Sequence, residues 1–215
     1  MAGEAGSGPL VGRVTGPMAA LGQVAAQRRP VLPLVPAPTG RRVVRAGQEW
    51  LVHTRHVLAQ PASVWSALTR PERLEQWVGT WRPAGDAVEF VLTFEGDDLL
   101  PAVYRVDVCT PGRSFSVSMP EPEGRPDPAQ VTVELTPAGV GASAGTVVTL
   151  AHSVDDRVLA PHVATGCEYY LDRLVTLLER RRSGGPAADF DEYFISQAAH
   201  YRRLFPVQRD DRLPR

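Results

Sequence analysis

Alternation of apolar and polar residues predicts a β-rich region that begins near residue 48. In the stretch EWLVHTRHV, Trp50 and Val52 fall on one side of the chain, while Leu51 and His53 fall on the other. A two-residue period of this kind is typical of a β-strand. Five later segments are also rich in Val, Thr, Phe or Tyr and are bounded by Gly, Pro or Asp, which predicts further strands. These segments are AVEFVLTFEG, AVYRVDVCTPG, RSFSVSMPEPEG, AQVTVELTPAG and GTVVTLAHSVDD.

Helical periodicity appears at two places along the same region. Directly after the first strand, the segment PASVWSALTRPERLEQWVG has apolar residues at steps of three and four on both sides of Pro71, which predicts two short helices. The charged residues between Arg70 and Glu75 fall opposite the tryptophans and are expected to face solvent. Closer to the C-terminus, APHVATGCEYYLDRLVTLLERRR carries a continuous apolar face from Val163 to Leu178, which predicts one long helix.

The order of these elements predicts an α+β fold. We expect a curved antiparallel β-sheet of about six strands wrapped around the long C-terminal helix, with two short helices after strand 1. A sheet with one apolar face needs a cover, and the long helix is the element of adequate length. The sheet and the helix would then enclose an apolar cavity, which is where such a domain is expected to bind a small molecule.

Composition divides the 215-residue chain into three parts. Residues 1–47 are rich in Gly, Ala, Pro and Arg and contain no aromatic residue, so we expect a disordered N-terminal segment. Residues 48–183 are expected to form the folded α+β domain. Residues 184–215 are expected to form a C-terminal extension with a short helix and a disordered end.

The charge distribution narrows the choice of partners. Residues 1–47 carry a net charge of +5, residues 48–178 carry −8 and residues 179–215 carry +2. An acidic domain does not favour nonspecific binding of nucleic acid, so we expect no nucleic-acid partner. No apolar run reaches the roughly 18 residues of a membrane-spanning helix. Cys109 and Cys167 do not indicate a disulfide framework, so we expect a cytoplasmic protein with reduced thiols. We expect a monomer or a homodimer.

Motifs for catalysis or metal binding are weak in this sequence. His53 and His56 are three residues apart on a strand and therefore point to opposite faces, which is unsuitable for a shared metal. The sequence contains no Gly-x-Ser-x-Gly elbow and no Cys–His pair at a recognised spacing. The acidic pair Asp97–Asp98 falls in a predicted turn, where Asp is favoured for local hydrogen bonds. We therefore predict no catalytic residue, no bound metal and no cofactor.

Candidate binding residues are those that should face the cavity. They are mostly aromatic, and they lie on the two short helices, on the strands and on the long helix. A slip of one residue in strand phase would turn the strand residues outwards. The candidates are Trp65, Trp77, Phe90, Phe94, Tyr104, Phe115, His152, Tyr170 and Leu174.

Four segments, taken in order, carry a family resemblance. ASVWSALTRPERLEQWVG resembles the first-helix signature of bacterial proteins similar to the C-terminal domain of the Hsp90 ATPase activator, a branch of the START-like (SRPBCC) helix-grip superfamily. GTVVTLAHSV is similar to the last strand of that family, GCEYYLDRLVTLLE to the head of its long helix, and DFDEYFISQAAHYR to a tail of actinobacterial members. Together they span about residues 48–205. One departure is Gly166–Cys167, where the family pattern has Gly-Trp.

The resemblance implies a cavity-containing fold and leaves the activity open, because one fold hosts many functions. Our first hypothesis is a non-catalytic protein that binds a small hydrophobic molecule, or a stress- or chaperone-associated accessory protein. The alternative is an enzyme similar to polyketide cyclases and aromatases, in which His152, Tyr104 or Arg105 would orient the substrate. A third hypothesis is a protein-interaction module that uses the basic arm of residues 28–45.

Overall fold

The structure is a computed structural model and describes residues 35–93, 101–119, 129–141, 144–179 and 189–207. These ranges contain the strands β1 (Arg41–Arg45), β2 (Gln48–Val57), β3 (Gly79–Ala84), β4 (Ala87–Leu92), β5 (Ala102–Thr110), β6 (Ser114–Ser118), β7 (Gln130–Ala138) and β8 (Gly145–Ser153). They also contain the helices α1 (Pro61–Thr69), α2 (Pro71–Leu74), α3 (Ala160–Leu178) and α4 (Phe190–Leu204). All the strands join one antiparallel sheet in the order β1-β2-β8-β7-β6-β5-β4-β3.

This architecture confirms the predicted α+β helix-grip fold, with two differences in the sheet. The described residues form eight strands rather than about six, because β1 and β3 were not predicted. Both are edge strands, and neither carries a clear alternating pattern: β1 reads RRVVR and β3 reads GTWRPA. An edge strand tolerates Pro83 because one side of its backbone needs no partner in the sheet.

The N-terminal boundary of the folded region lies earlier than residue 48. Residues 41–45, which composition assigned to a disordered segment, form β1 and pair with β2, with Arg41 opposite Val52. This corrects the expected boundary, because low hydrophobicity does not prevent a short strand from adding to an existing sheet edge. Residues 1–34 lie outside the described residues, as do 180–188 and 208–215, so the rest of the N-terminal segment and the C-terminal end stay predictions.

Local sequence signals explain where the helices begin. Pro61 and Pro71 occupy the first turns of α1 and α2, where a missing N–H costs little. At the start of α4, Asp189 accepts a hydrogen bond from the Glu192 N–H, and the Glu192 side chain accepts one from the Asp189 N–H. This capping box satisfies donors that the first helical turn leaves free. None of the described helices combines the length and the apolar character required to cross a bilayer.

The helices cover different parts of the same sheet face, which we call the inner face. Helix α3 packs against β2, α1 and α4, whereas α1 also contacts β7 and β8. Leu171 and Leu174 of α3 are fully buried in the main apolar cluster together with Val57, Val64 and Val133. The long helix therefore packs at the β2 end of the sheet, and the two short helices lie towards the β3 end.

Candidate functional site

An apolar pocket lies between the short helices and the inner face of the sheet. Its volume is about 350 Å³. The helical side consists of residues on α1, α2 and the turn that follows α2, and these are Leu68, Thr69, Leu74, Trp77 and Val78. The sheet side consists of residues from β3 to β8, with the rings of Trp81, Phe90, Tyr104 and Phe115 and several valines between them.

The phase of the strands explains why these side chains converge. Phe115 and Val117 of β6 are two residues apart and both line the pocket, as alternation along a strand requires. On β5, Val106 pairs with Val117 and Val108 pairs with Ser116, so Asp107 is an extra residue that forms a β-bulge. The bulge shifts the phase of β5, and Cys109 rather than Val108 lines the pocket.

A hydrogen bond holds this bulge in place. The Ser118 hydroxyl donates to Oδ1 of Asp107 at 2.8 Å. Because Ser118 lies on the neighbouring strand β6, the bond ties the extra residue of β5 to its partner strand. The position of Cys109 on the pocket wall therefore depends on a polar contact that faces away from the pocket.

Trp77 anchors the helical side of the pocket. Its indole N–H donates to the Ala67 carbonyl oxygen at 2.9 Å, which ties the turn after α2 to α1. Nε of Arg173 on α3 donates to the Trp77 carbonyl oxygen, also at 2.9 Å. Gly79 then starts β3 in close contact with β4, where an added Cβ would lie 2.0 Å from the Val91 carbonyl oxygen. These contacts leave little freedom for the Trp77 ring.

Polar groups are scarce on the pocket wall. Among the described lining residues, they are the Thr69 and Tyr104 hydroxyls, the Cys109 thiol and the indole N–H groups of Trp77 and Trp81. The Thr69 hydroxyl already donates to the Trp65 carbonyl oxygen at 2.8 Å. Burial, together with the nearby Cys167 thiol, raises the pKa of Tyr104, so its hydroxyl stays neutral at pH 7. No described lining residue is Asp, Glu, His or Arg.

Four of the nine predicted wall residues lie on the pocket wall. Trp77, Phe90, Tyr104 and Phe115 line it. Trp65 does not, although its ring packs edge-on against Phe115 with the ring centroids 6.0 Å apart. Trp65 therefore contacts a lining residue without lining the pocket itself.

The predicted wall residues on α3 and β8 do not line the pocket. Tyr170 and Leu174 of α3 are 7% and 0% exposed and belong to the packed core, because α3 covers the other part of the sheet. His152 lies on the inner face, but its Nδ1 is 2.6 Å from the Ser153 carbonyl oxygen. Burial lowers the pKa of His152, which keeps it neutral at pH 7. Phe94 lies outside the described residues.

Several pocket residues were not predicted from the sequence. Trp81 was missed because β3 was missed, and a short segment with a proline two residues after the tryptophan is a weak strand signal. Val106, Val131 and Leu150 line the pocket but were not predicted, because the candidates on the strands were mostly aromatic residues. Each lies two residues from another inward-facing residue of its strand, which is Tyr104, Val133 or Val148, and this spacing was the sequence signal for them.

A second buried region joins β2 to α3 and α4 through charged side chains. Glu168 of α3 is fully buried, and its Oε1 accepts hydrogen bonds from the N–H groups of Thr39 and Gly40 at 2.5 and 2.9 Å. The Tyr201 hydroxyl also donates to Oε1, and the Arg55 guanidinium donates to Oε2. We call the set of Glu168, Arg55, His53, Asp172 and Tyr201 the Glu168 cluster.

The remaining contacts close this cluster. Nε of Arg55 donates to Oδ1 of Asp172 at 2.8 Å, and the Tyr193 hydroxyl donates to Oδ2 of Asp172 at 3.0 Å. Gly40 lies so close to the cluster that an added Cβ would be 2.5 Å from Nε2 of His53. No three His, Cys, Asp or Glu side chains of the described residues are arranged to hold a metal ion, in this cluster or elsewhere.

Burial and charge set the protonation states in the Glu168 cluster. Burial acts to raise the pKa of Glu168, but the interactions with His53 and Arg55 and the hydrogen bonds outweigh it and hold this pKa at about 2. Burial lowers the pKa of His53 to about 4, and the positive charge of Arg55 acts in the same direction. At pH 7 the cluster therefore contains an ionised Glu168, a charged Arg55 and a neutral His53.

Comparison with known proteins identifies the family. The model of the Activator of Hsp90 ATPase homolog 1-like protein family matches residues 58–179, which is more than half of the chain. No curated protein shows significant similarity to the chain.

Solved structures share the fold at low sequence identity. CalU16 from Micromonospora echinospora is 21% identical, with a TM-score of 0.58 over 79% of this chain and 98% of that chain. The protein EF2215 of unknown function from Enterococcus faecalis is 15% identical, with a TM-score of 0.57 over 77% and 91%. The protein encoded by gene BPP1335 from Bordetella parapertussis is 21% identical, with a TM-score of 0.55 over 83% and 93%. Together with the match to the family model, the helix-grip architecture establishes that this chain belongs to the Activator of Hsp90 ATPase homolog 1-like family.

Proposed function

We propose that this protein binds a small hydrophobic molecule in the pocket between the short helices and β3 to β8. The observation that carries the proposal is the pocket itself, about 350 Å³ in volume, with aromatic and aliphatic walls. Pockets of this size and character are the usual sites for small organic ligands. Filling the pocket would remove apolar wall surface from water, which contributes about 25 cal/mol per Å².

The rigidity of the wall supports the same proposal. The Trp77 ring is held by hydrogen bonds on both its side chain and its carbonyl group. The opposite wall is a hydrogen-bonded sheet, in which the bulge at Asp107 is fixed by Ser118. A wall that is already ordered loses little conformational entropy when a ligand enters, and affinity benefits from that preorganisation.

The enzyme hypothesis has less support from the geometry. It requires at least two polar groups that converge where a substrate would sit. His152 contacts the Ser153 carbonyl oxygen and is not part of the described pocket wall. Arg105 is exposed and alternates with Tyr104 along β5, so it lies on the opposite face of the sheet. Only Tyr104 of these three candidates lines the pocket.

A fluorescence titration tests the proposal. The neutral probe N-phenyl-1-naphthylamine should bind with a saturable signal that fits one site. The substitution Val117→Phe places a ring in the pocket and should weaken binding roughly tenfold or more. The matched control is Val108→Phe on β5, because Val108 is 59% exposed and does not line the pocket. Absence of saturable binding, or equal effects of the two variants, would contradict a site in this pocket.

A further inference from the structure

We propose that the pocket selects uncharged ligands and rejects carboxylates of the same shape. This inference rests on the proposed function, because it names the chemical class that the same pocket accepts. The pocket would bind neutral aromatic or alicyclic molecules more tightly than fatty-acid-like anions, although both classes are hydrophobic. The warrant is the charge content of the wall and of its surroundings.

The first step is that the described lining residues include no charged side chain. The described lining residues offer an anion only neutral donors, which are the Tyr104 hydroxyl, the Trp81 indole N–H and the Cys109 thiol, because the Thr69 hydroxyl donates to Trp65 and the Trp77 indole N–H donates to Ala67. A carboxylate has two oxygens and about four acceptor sites, and it needs charged or multiple donors when it leaves water. These three neutral donors do not replace that hydration, so an anion would be buried without a charged partner.

The second step is that two cations of the described residues, Arg173 and Arg55, are already engaged in other contacts. Arg173 donates to the Trp77 carbonyl oxygen, and its guanidinium lies 5.5 Å from the centre of the Tyr169 ring. Arg55 is held by Glu168 and Asp172. Moving either guanidinium to the pocket would break contacts that the fold uses, and such a move costs more than a surface rearrangement.

The third step is the long-range field. Residues 48–178, which contain the whole pocket, carry nine Arg against seventeen Asp and Glu, a net charge of −8. An acidic surrounding lowers the local concentration of anions and raises that of cations. We therefore expect affinity to fall in the order neutral, ammonium, carboxylate.

Three probes with the same ring system test this order. Naphthalen-2-ylmethanol is neutral, naphthalen-2-ylmethylamine is a cation and 2-naphthoate is an anion at pH 7.5. Isothermal titration calorimetry should show the alcohol binding roughly 100-fold tighter than the carboxylate, with the amine between them. A carboxylate that binds as tightly as the alcohol, or an amine that binds best, would overturn the selectivity while leaving the binding function intact. Absence of binding by all three probes would instead overturn the proposed function.

A charge introduced at the pocket mouth provides a second test. Val106 lines the pocket and is 48% exposed, so a lysine there can keep its ammonium in water while its stem covers the wall. Val106→Lys should strengthen binding of 2-naphthoate about tenfold and leave the alcohol within about threefold. The matched control Val108→Lys adds the same charge on the opposite face and should change neither probe. Equal gains in both variants, or no gain for Val106→Lys, would show that the missing counter-charge does not set the selectivity.

Discussion

The pocket and the Glu168 cluster lie side by side on one sheet face and differ in the kind of side chain that they bury. Leu150 of β8 lines the pocket, and its cross-strand neighbour His53 of β2 belongs to the cluster. The cluster buries charges, and nearly every polar atom there has a partner that fixes its position. The pocket buries apolar surface incompletely and leaves space. The comparison indicates that polar contacts hold the helices on one half of the sheet, so that the other half can stay open.

The largest expected effect comes from removing the centre of the cluster. Glu168→Ala leaves Arg55 buried without one of its two carboxylate partners and removes the acceptor for Thr39, Gly40 and Tyr201. We expect the free energy of unfolding to fall by about 3–5 kcal/mol, which urea denaturation would measure.

The control for this variant is a surface ion pair. Arg82 is 74% exposed and pairs with Glu89, so Glu89→Ala should cost at most about 1 kcal/mol. If Glu168→Ala cost no more than Glu89→Ala, the cluster would not be what holds α3 and α4 to the sheet.

A pair of substitutions separates the packed core from the pocket wall. Leu174 of α3 is fully buried in the core, whereas Phe115 is only partly buried and lines the pocket. Leu174→Ala should lower the free energy of unfolding by about 2–5 kcal/mol and leave probe affinity unchanged in the folded protein. Phe115→Ala should cost less stability, because one side of its ring faces open space, and should weaken binding of naphthalen-2-ylmethanol. The opposite pattern would place the binding site against α3.

The pH dependence of stability tests the protonation state of the cluster. An unfolded histidine titrates near pH 6.5, whereas His53 in the folded protein titrates near pH 4. Between these values the unfolded state binds a proton that the folded state does not bind, so the free energy of unfolding falls as the pH drops. The loss attributable to His53 between pH 7 and pH 5 should be on the order of 2 kcal/mol.

A substitution isolates this contribution. His53→Gln should flatten the dependence of stability on pH over this range, whereas His56→Gln, at an exposed position on the same strand, should not. Glu168 stays ionised throughout, because its folded-state pKa is about 2. An unchanged slope in His53→Gln would mean that His53 is not the neutral, buried group that the structure describes.

Much of the fold could be predicted from short-range patterns. Alternation in β4 to β8 and the helical steps around Pro71 identified the main elements, because those patterns report directly on which side of an element is buried. The strands β1 and β3 lacked the pattern because an edge strand is held by backbone hydrogen bonds that do not depend on side-chain type. The extent of α3 coverage was also not predictable, since it depends on how α1 and α2 pack.

The pocket was more predictable than the cluster. Their aromatic character marked Trp77, Phe90, Tyr104 and Phe115 as candidates. The structure places all four on the pocket wall. Glu168 was not identified because its partners are far away in sequence; Thr39 and Glu168 are 129 positions apart. The available sequence signal was a glutamate among apolar residues of α3, four positions before Asp172. Only its tertiary contacts explain why this glutamate is buried.

The smallest expected effect contrasts one tyrosine from each region. Tyr193 is 1% exposed and donates to Asp172, so Tyr193→Phe removes one buried hydrogen bond and should cost about 1 kcal/mol of unfolding free energy. The Tyr104 hydroxyl makes no hydrogen bond within the described residues, so Tyr104→Phe should change stability by less than about 0.5 kcal/mol. Tyr104→Phe should instead weaken binding of naphthalen-2-ylmethanol, because it removes a neutral hydroxyl donor from the pocket wall. Equal stability losses in the two variants would mean that both hydroxyls are structural, and the division into a fixed polar region and an open apolar pocket would not hold.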